Sequence, residues 1–329
     1  MLSAMQPVAP ISVIIPAFNP GRFLAEALAS VQAQTVHPLE VLLVDDGSEP
    51  PIAIPPAISL PIRLIRQANA GQAAARNLGM KEAKGEWLAF LDADDVWHPE
   101  KLARQWDVAR EVPTSTIIGC RAVLIDAGGN FIGTGPGAMS GRTTTLSREE
   151  FVRNAPLALL VPSMAMVRNA AAVTEPGFDT RFQPIEDLVF FDELLSDSQT
   201  RCAIVERALL KRRIHGASLT LRYREMHRSY LAWAHHAVSG NLEASVATDM
   251  QATARFVTAM SALHHDAFSE ARQLLKQAIR VRPRPAMLMF FALTFFPSGA
   301  IRLLRRCKQA SASAHAGNLW KGKARDTST

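Results

Sequence analysis

Five aspartates close two apolar runs near the start of the chain. Asp45 and Asp46 follow Val41–Val44, and Asp92, Asp94 and Asp95 follow the run that ends at Leu91. Carboxylates gathered so closely repel one another unless something positive sits among them, and a divalent cation is the simplest answer. The Asp92-Ala-Asp94 spacing suits Mn²⁺ or Mg²⁺, hard cations that take one or two carboxylates and keep other positions for phosphate oxygens and water. A cation held this way offsets the charge that builds on a departing diphosphate. Aspartates two apart also cap loops and helices, and the buried run just before them is what favours the metal. A second acidic pair, Glu186-Asp187, opens an apolar pattern at helical spacing: Leu188, Phe190, Phe191, Leu194 and Leu195. A carboxylate there can take the proton from an attacking hydroxyl, or it can simply face the positive end of its helix. The third group is Arg213-Ile-His215-Gly-Ala-Ser218, with His215 standing 28 residues beyond Asp187. Its imidazole can ligate a metal and, when protonated, donates well to phosphate.

The elements that hold these groups read as alternating strands and helices. Ile11–Ile15 is a short apolar strand ended by Pro16 and the Asn19-Pro20-Gly21 turn. Phe23–Gln34 follows with helical spacing, Val41–Val44 and Ile62–Ile65 are further strands, and Gly71 opens a helix to about Ala83. Glu86–Leu91 is a fourth strand, after which Pro99 suits the first residue of another helix. This alternation predicts an α/β fold, with a mostly parallel mixed sheet covered by helices on both faces. Ligands bind such sheets beyond the carboxyl ends of the strands, which places Asn19, Asp45, Asp46, Asp92, Asp94 and Asp95 on one rim. Thr116–Thr134 reads as strands joined by a hairpin through Asp126–Asn130, and Ile185–Leu195 as a helix. After Arg222 the chain reads as helical, with breaks at Pro283, Pro285 and Pro297. Asp266–Ile279 carries Phe268, Ala271, Leu274, Leu275 and Ile279 on one face.

Nearly half of the 329 residues are hydrophobic and 20% are charged, an ordinary globular composition. Three separated cysteines suggest neither a disulfide framework nor a zinc site. The first basic residue is Arg22, so no secretory leader is expected. The net charge of +6 hides an asymmetry: twelve Lys/Arg and no acid lie between Ala271 and Arg325, which leaves 24 basic against 30 acidic residues elsewhere. A basic segment of this kind suits a polyanionic surface.

Taken in order, Ile11–Asn19, Asp45-Asp46-Gly47-Ser48, Asn69-Ala-Gly71 through Arg76-Asn77, and Gly85-Glu-Trp-Leu-Ala-Phe-Leu-Asp92-Ala-Asp94-Asp95 resemble the family 2 inverting glycosyltransferases. The match is specific over about the first 105 residues and continues more weakly to Ser218. The resemblance implies a GT-A-like, Rossmann-like sheet and a nucleotide-sugar donor, with a UDP-sugar favoured. It implies that Pro16, Ala17 and Asn19 shape the nucleotide wall, that Asp46 reads the base, that Arg76 lies beside the nucleotide and that Asp92 faces the ribose. Asp94 would be the metal ligand, with His215 approaching the same cation, and Asp187 would deprotonate the acceptor hydroxyl beside Glu186. Arg213 and Ser218 complete the Arg-x-His-x-x-Ser segment. Asp46 could instead make an Asx-turn in Asp-Gly-Ser, and Arg76 an exposed helical position. The chain departs from the family at five prolines between Pro50 and Pro61, and at Leu188–Phe191 and Glu193, where Trp and Arg are common.

The expected organisation is a catalytic domain over residues 1–222, with a nucleotide-binding half at 8–112 and an acceptor half at 113–222, then a helical C-terminal region over 223–329. Neither GxGxxG nor GxxxxGK[ST] is present, which argues against a dehydrogenase or a P-loop protein. The acceptor is expected to be a glycan or lipid-linked, in surface polysaccharide or glycolipid synthesis. The alternative is a non-catalytic scaffold of the same fold docked on a membrane. The expected location is the cytoplasm, peripheral on the inner face of the cell membrane. Residues 271–325 would meet an anionic membrane surface, while no nucleic acid is expected, because the basic segment lacks interleaved stacking aromatics. The uncharged Ala286–Phe296 run is too short to span a hydrocarbon core of about 30 Å and suits the interface instead.

Overall fold

The computed structural model describes residues 7–135, 139–154, 160–172, 177–216, 223–239 and 242–295. The first four apolar runs form β1 (Val8–Ala17), β2 (His37–Asp45), β3 (Ile62–Arg66) and β4 (Trp87–Phe90). They pair in parallel in the order β3-β2-β1-β4. The central residues of β1, β2 and β4 are almost completely buried, as expected of strands covered on both faces, whereas the edge strand β3 is only partly buried and exposes Leu64. The helices between them are α1 (Phe23–Gln32) and α2 (Gln72–Glu82). α2 lies tight on β1, because a Cβ at Gly79 would stand 2.5 Å from an Ile14 methyl.

The sheet continues through short strands. β5 (Val96–Trp97) precedes α3 (Lys101–Glu111), which begins two residues after Pro99 instead of at it. β6 (Ser115–Ile125) and β7 (Phe131–Thr134) are the expected hairpin. After β8 (Thr143–Leu146) and α4 (Arg148–Asn154) comes β9 (Met166–Arg168), followed by the short α5 (Asn169–Ala172). β9 runs antiparallel between β4 and β6 and joins the two halves into one sheet. α6 (Glu186–Leu194) leads to β10 (Arg201–Arg213), parallel to β6 and antiparallel to β5 and β8. The sheet is thus parallel in its first block and mainly antiparallel beyond it.

Four helices follow: α7 (Tyr223–Ser239), α8 (Ala244–His264), α9 (Phe268–Val281) and α10 (Pro285–Leu293). Pro285 opens α10, where its missing N–H costs nothing. α9 buries Ala271, Leu274, Leu275 and Ala278, close to the face read from the sequence. α7 and α8 are tied to the body of the sheet and its helices. The Trp233 indole donates to Asp192 at 3.2 Å, and Asp249 of α8 pairs with Arg153 of α4. None of the described helices is long and apolar enough to cross a membrane.

Candidate active site

The carboxyl ends of β1, β2 and β4 meet the start of α6 and the end of β10 around a cavity of about 490 Å³. Pro16, Ala17, Asn19, Asp46, Arg76, Asp92, Asp94, Glu186, Asp187, Arg213 and His215 all line it. Ser218 lies outside the described residues.

At the nucleotide end, Asn19 adopts a left-handed conformation (φ 45°) and ties the β1 and β2 loops together. Its N–H donates to Ser48 Oγ at 2.9 Å and its side-chain oxygen accepts from Glu49 N at 2.9 Å. Asp45 is a turn residue, accepting from Ser48 N at 2.8 Å and Ile52 N at 3.3 Å. Asp46 does not close a local turn. Its carboxylate accepts from Gln67 Nε2 at 2.7 Å and from the N–H groups of Ala70 and Gly71, both at 2.9 Å. It therefore fixes the loop that launches α2. Gly47 lets the chain pass, with φ +80° and an imagined Cβ only 2.8 Å from Asn69 N.

Arg76 is only 2% exposed, so it is not a solvated helical arginine. Its guanidinium lies 2.7 Å from Asp92 and 3.8 Å from Glu186, joining α2 to the end of β4 and the start of α6. Gln72 also donates to Asp92, at 3.0 Å. Among the described residues, Arg76 Nε and Glu186 Oε2 are buried without a hydrogen-bond partner.

Asp94 Oδ2 and His215 Nε2 stand 2.8 Å apart. Burial, then the charge of Asp92, raises the Asp94 carboxyl above its ordinary range, while His215 opposes the shift. Asp95 is pushed up to about 8 by burial and then by the charges of Asp94 and Asp92. It accepts from Arg213 N at 2.9 Å and does not cap α3. Arg213 locks this corner together. It donates to the Asp94 carbonyl at 2.8 Å, pairs with Glu26 at 2.5 Å and sits 4.8 Å above the Phe23 ring. A hard cation fits the Asp94–His215 pair. Among the described residues no cluster of three or more metal-ligating side chains occurs, so a cation there would keep most of its positions for phosphate oxygens and water.

Asp187 keeps part of its surface open to the cavity, although its carboxyl is surrounded by protein. Burial, then the charge of Glu186, pushes it up to about 7. Burial also raises Glu186. A carboxyl in that range suits a group that must accept a proton near neutrality.

The sequence reading missed several contributors. Ser163, fully buried, accepts from Asp92 N at 2.9 Å, and no local pattern marks it. Arg212 of β10 lines the cavity, as do Met226 and Tyr230 of α7. The i, i+4 spacing of Met226 and Tyr230 shows only that they share a helix face.

An α/β sheet with an acid-lined cavity at its strand ends is the architecture of nucleotide-binding enzymes. Residues 12–172, just under half of the chain, match the model for glycosyl transferase family 2. Over 114 residues it is 44% identical to an uncharacterized glycosyltransferase of Nostoc sp., a stretch covering 33% of this chain and 34% of that one. It is 32% identical over 126 residues to glycosyltransferase GlyG of Streptococcus pneumoniae, covering 37% and 42%. These matches span only about a third to two-fifths of the curated relatives' length. Among solved structures, S. aureus TarS 1–349 in complex with UDP-GlcNAc shares the fold. The TM-score is 0.59 at 18% identity, covering 83% of this chain and 81% of that one.

Proposed function

We propose that the protein transfers a sugar from a nucleotide-diphosphate donor, a UDP-sugar first, to an acceptor hydroxyl with inversion at the anomeric carbon. The glycan or lipid-linked acceptor would belong to surface polysaccharide or glycolipid synthesis. The observation that carries this reading is one cavity that gathers the Asp94–His215 pair, the strand-end residues and the raised Asp187 carboxyl. The UDP preference draws on TarS, whose fold is similar and which binds UDP-GlcNAc.

Pro16, Ala17 and Asn19 would form the nucleotide wall. Asp46 has three of about four acceptor positions filled, and the remaining one suits the ring N–H of uracil. Asp92 would face the ribose, and Arg76 would hold Asp92 in place beside the nucleotide. Asp94 and His215 would hold Mn²⁺ or Mg²⁺, whose chemistry is to offset charge on the departing diphosphate. Asp187 would take the proton of the acceptor hydroxyl as its oxygen bonds to the anomeric carbon and the diphosphate departs. With Asp92 and Glu186 held by Arg76 and Asp94 by His215, Asp187 is the carboxyl left to act as base in a single displacement. The deciding experiment screens nucleoside diphosphates for binding, then follows donor turnover with and without EDTA in wild type, Asp94→Ala and Asp187→Asn. Full turnover in excess EDTA rules out the metal. Turnover unchanged in Asp187→Asn rules out the base, and a wild type without turnover favours the scaffold reading.

A second reading concerns the C-terminal helices. α10 buries Met287 but exposes Leu288 and Met289, Phe295 just beyond it is exposed, and so are the preceding Arg280 and Arg282. Apolar and basic side chains so arranged suit the interface of an anionic bilayer. Flotation with anionic vesicles at low salt tests this. Loss of flotation on deleting residues 283–329 supports docking, and a protein that stays behind at low salt rules it out.

A further inference from the structure

Three arginines line the cavity, and two of them are paired. Arg76 is shared by Asp92 and Glu186, and Arg213 by Glu26, the Asp94 carbonyl and Asp126. Arg212 is different. It is half-buried at the end of β10, opposite Leu124 of β6, and among the described residues its side chain makes no hydrogen bond and no ion pair. A half-buried guanidinium that faces a cavity without a direct ion pair keeps its N–H donors available for an anionic ligand.

Its neighbours indicate which ligand. Arg212 is near enough to Asp187 and to Tyr230 for its charge to be felt at both. Tyr230, 3% exposed, also makes no side-chain hydrogen bond among the described residues, and with Met226 it brings α7 to the cavity. The diphosphate leaves on the face of the sugar opposite the base, so a cation beside Asp187 is on the acceptor side.

The geometry points to an acceptor that carries a negative group, a phosphate or a carboxylate, beside its reacting hydroxyl, with Arg212 as the residue that binds it. This inference rests on Asp187 marking the acceptor side. Arg212 and Tyr230 line the same cavity, where a fork of N–H donors and a phenol O–H suit a tetrahedral or planar anion.

The test is calorimetric titration of the full-length protein, with and without UDP and Mn²⁺, using glycerol 3-phosphate, glucuronate and glycerol. The wild type is expected to bind one of the two anionic polyols and to prefer it to glycerol. Phosphate and carboxylate are separated by which of the two binds. Arg212→Gln should weaken that binding by about tenfold or more, Arg212→Lys by less, and UDP affinity should be the same in all three proteins. The inference is overturned if neither anionic polyol binds the wild type, if Arg212→Gln binds it equally well, or if Arg212→Gln instead loses UDP. Absence of UDP binding in the wild type counts against the donor reading, while the polyol titrations without UDP still decide Arg212. If Arg212 serves only to adjust Asp187, Arg212→Gln shifts the pH profile of donor hydrolysis and leaves polyol binding intact, which also overturns the inference.

Discussion

Asp187 must be ionised before it can accept a proton, and its carboxyl is pushed up to about 7 by burial and then by Glu186. The rate with saturating donor should therefore rise as pH passes through about 7. Glu186→Gln removes a neighbouring negative charge, so the rise should move to lower pH; a pH–rate profile of both proteins checks the direction. Asp187→Asn should cost roughly 10²–10⁴ in turnover. The same residue affects stability in the opposite sense. A carboxyl raised on folding stabilises fully below its unfolded value of about 4, and this contribution is lost as pH climbs through the folded value of about 7. Asp187→Asn should thus melt above the wild type at pH 8. The gap should narrow as pH falls from about 7 toward about 4, which thermal melts across that range would measure.

At the scale of elements, Arg76 is the pin between α2, the end of β4 and the start of α6. Replacing it with Met leaves Asp92 and Glu186 facing each other without their cation, a change that costs about 3–5 kcal/mol when a buried pair is broken. Part of that loss should be recovered as pH is lowered, because burial already favours the protonated Glu186 carboxyl, and denaturant titrations over a falling pH series would show it. Gly47→Ala should cost about 1–3 kcal/mol through its positive φ and the Asn69 backbone it would strike. It should also weaken nucleotide binding, because it displaces the loop that Asp46 holds. The elements best read from sequence were β1, β2 and β4, whose continuous apolar runs are what a doubly covered parallel strand requires. β5 and β9 escaped because two or three residues carry no period, and β8 and the longer β10 went unread as well. Pro99 misled by two residues, since proline suits a helix entrance without being its first turn. Asp46, Asp94 and Asp187 each follow or open an element legible in the sequence, whereas His215 follows β10, which was not read, and stood out only through the Arg-x-His-x-x-Ser segment. Ser163 and Tyr230 reach the cavity only through tertiary packing, which no local spacing records.

For the whole molecule, the boundary near residue 222 is not a point of separation. Trp233 reaches back to Asp192, Ser229 donates to the Gln183 carbonyl at 2.9 Å, and Asp249 of α8 gathers Arg153, Arg282 and Arg284. A protein ending at residue 222 would leave the apolar patch under α7 and α8 uncovered. It should melt at lower temperature or less cooperatively than the full-length protein, and a truncated chain that melts like the full-length protein would contradict this.

One feature of that arrangement bears on how such a molecule diversifies. The family match ends at residue 172, whereas Asp187, Arg212, His215 and Tyr230 all come later in the chain. On the reading proposed above, the residues of the nucleotide wall lie within that match, while the base, Arg212 and the cation's second partner, His215, lie beyond it. Grafting residues 177–239 onto a domain of that family should carry the recipient's identity along while leaving the choice of donor to the host.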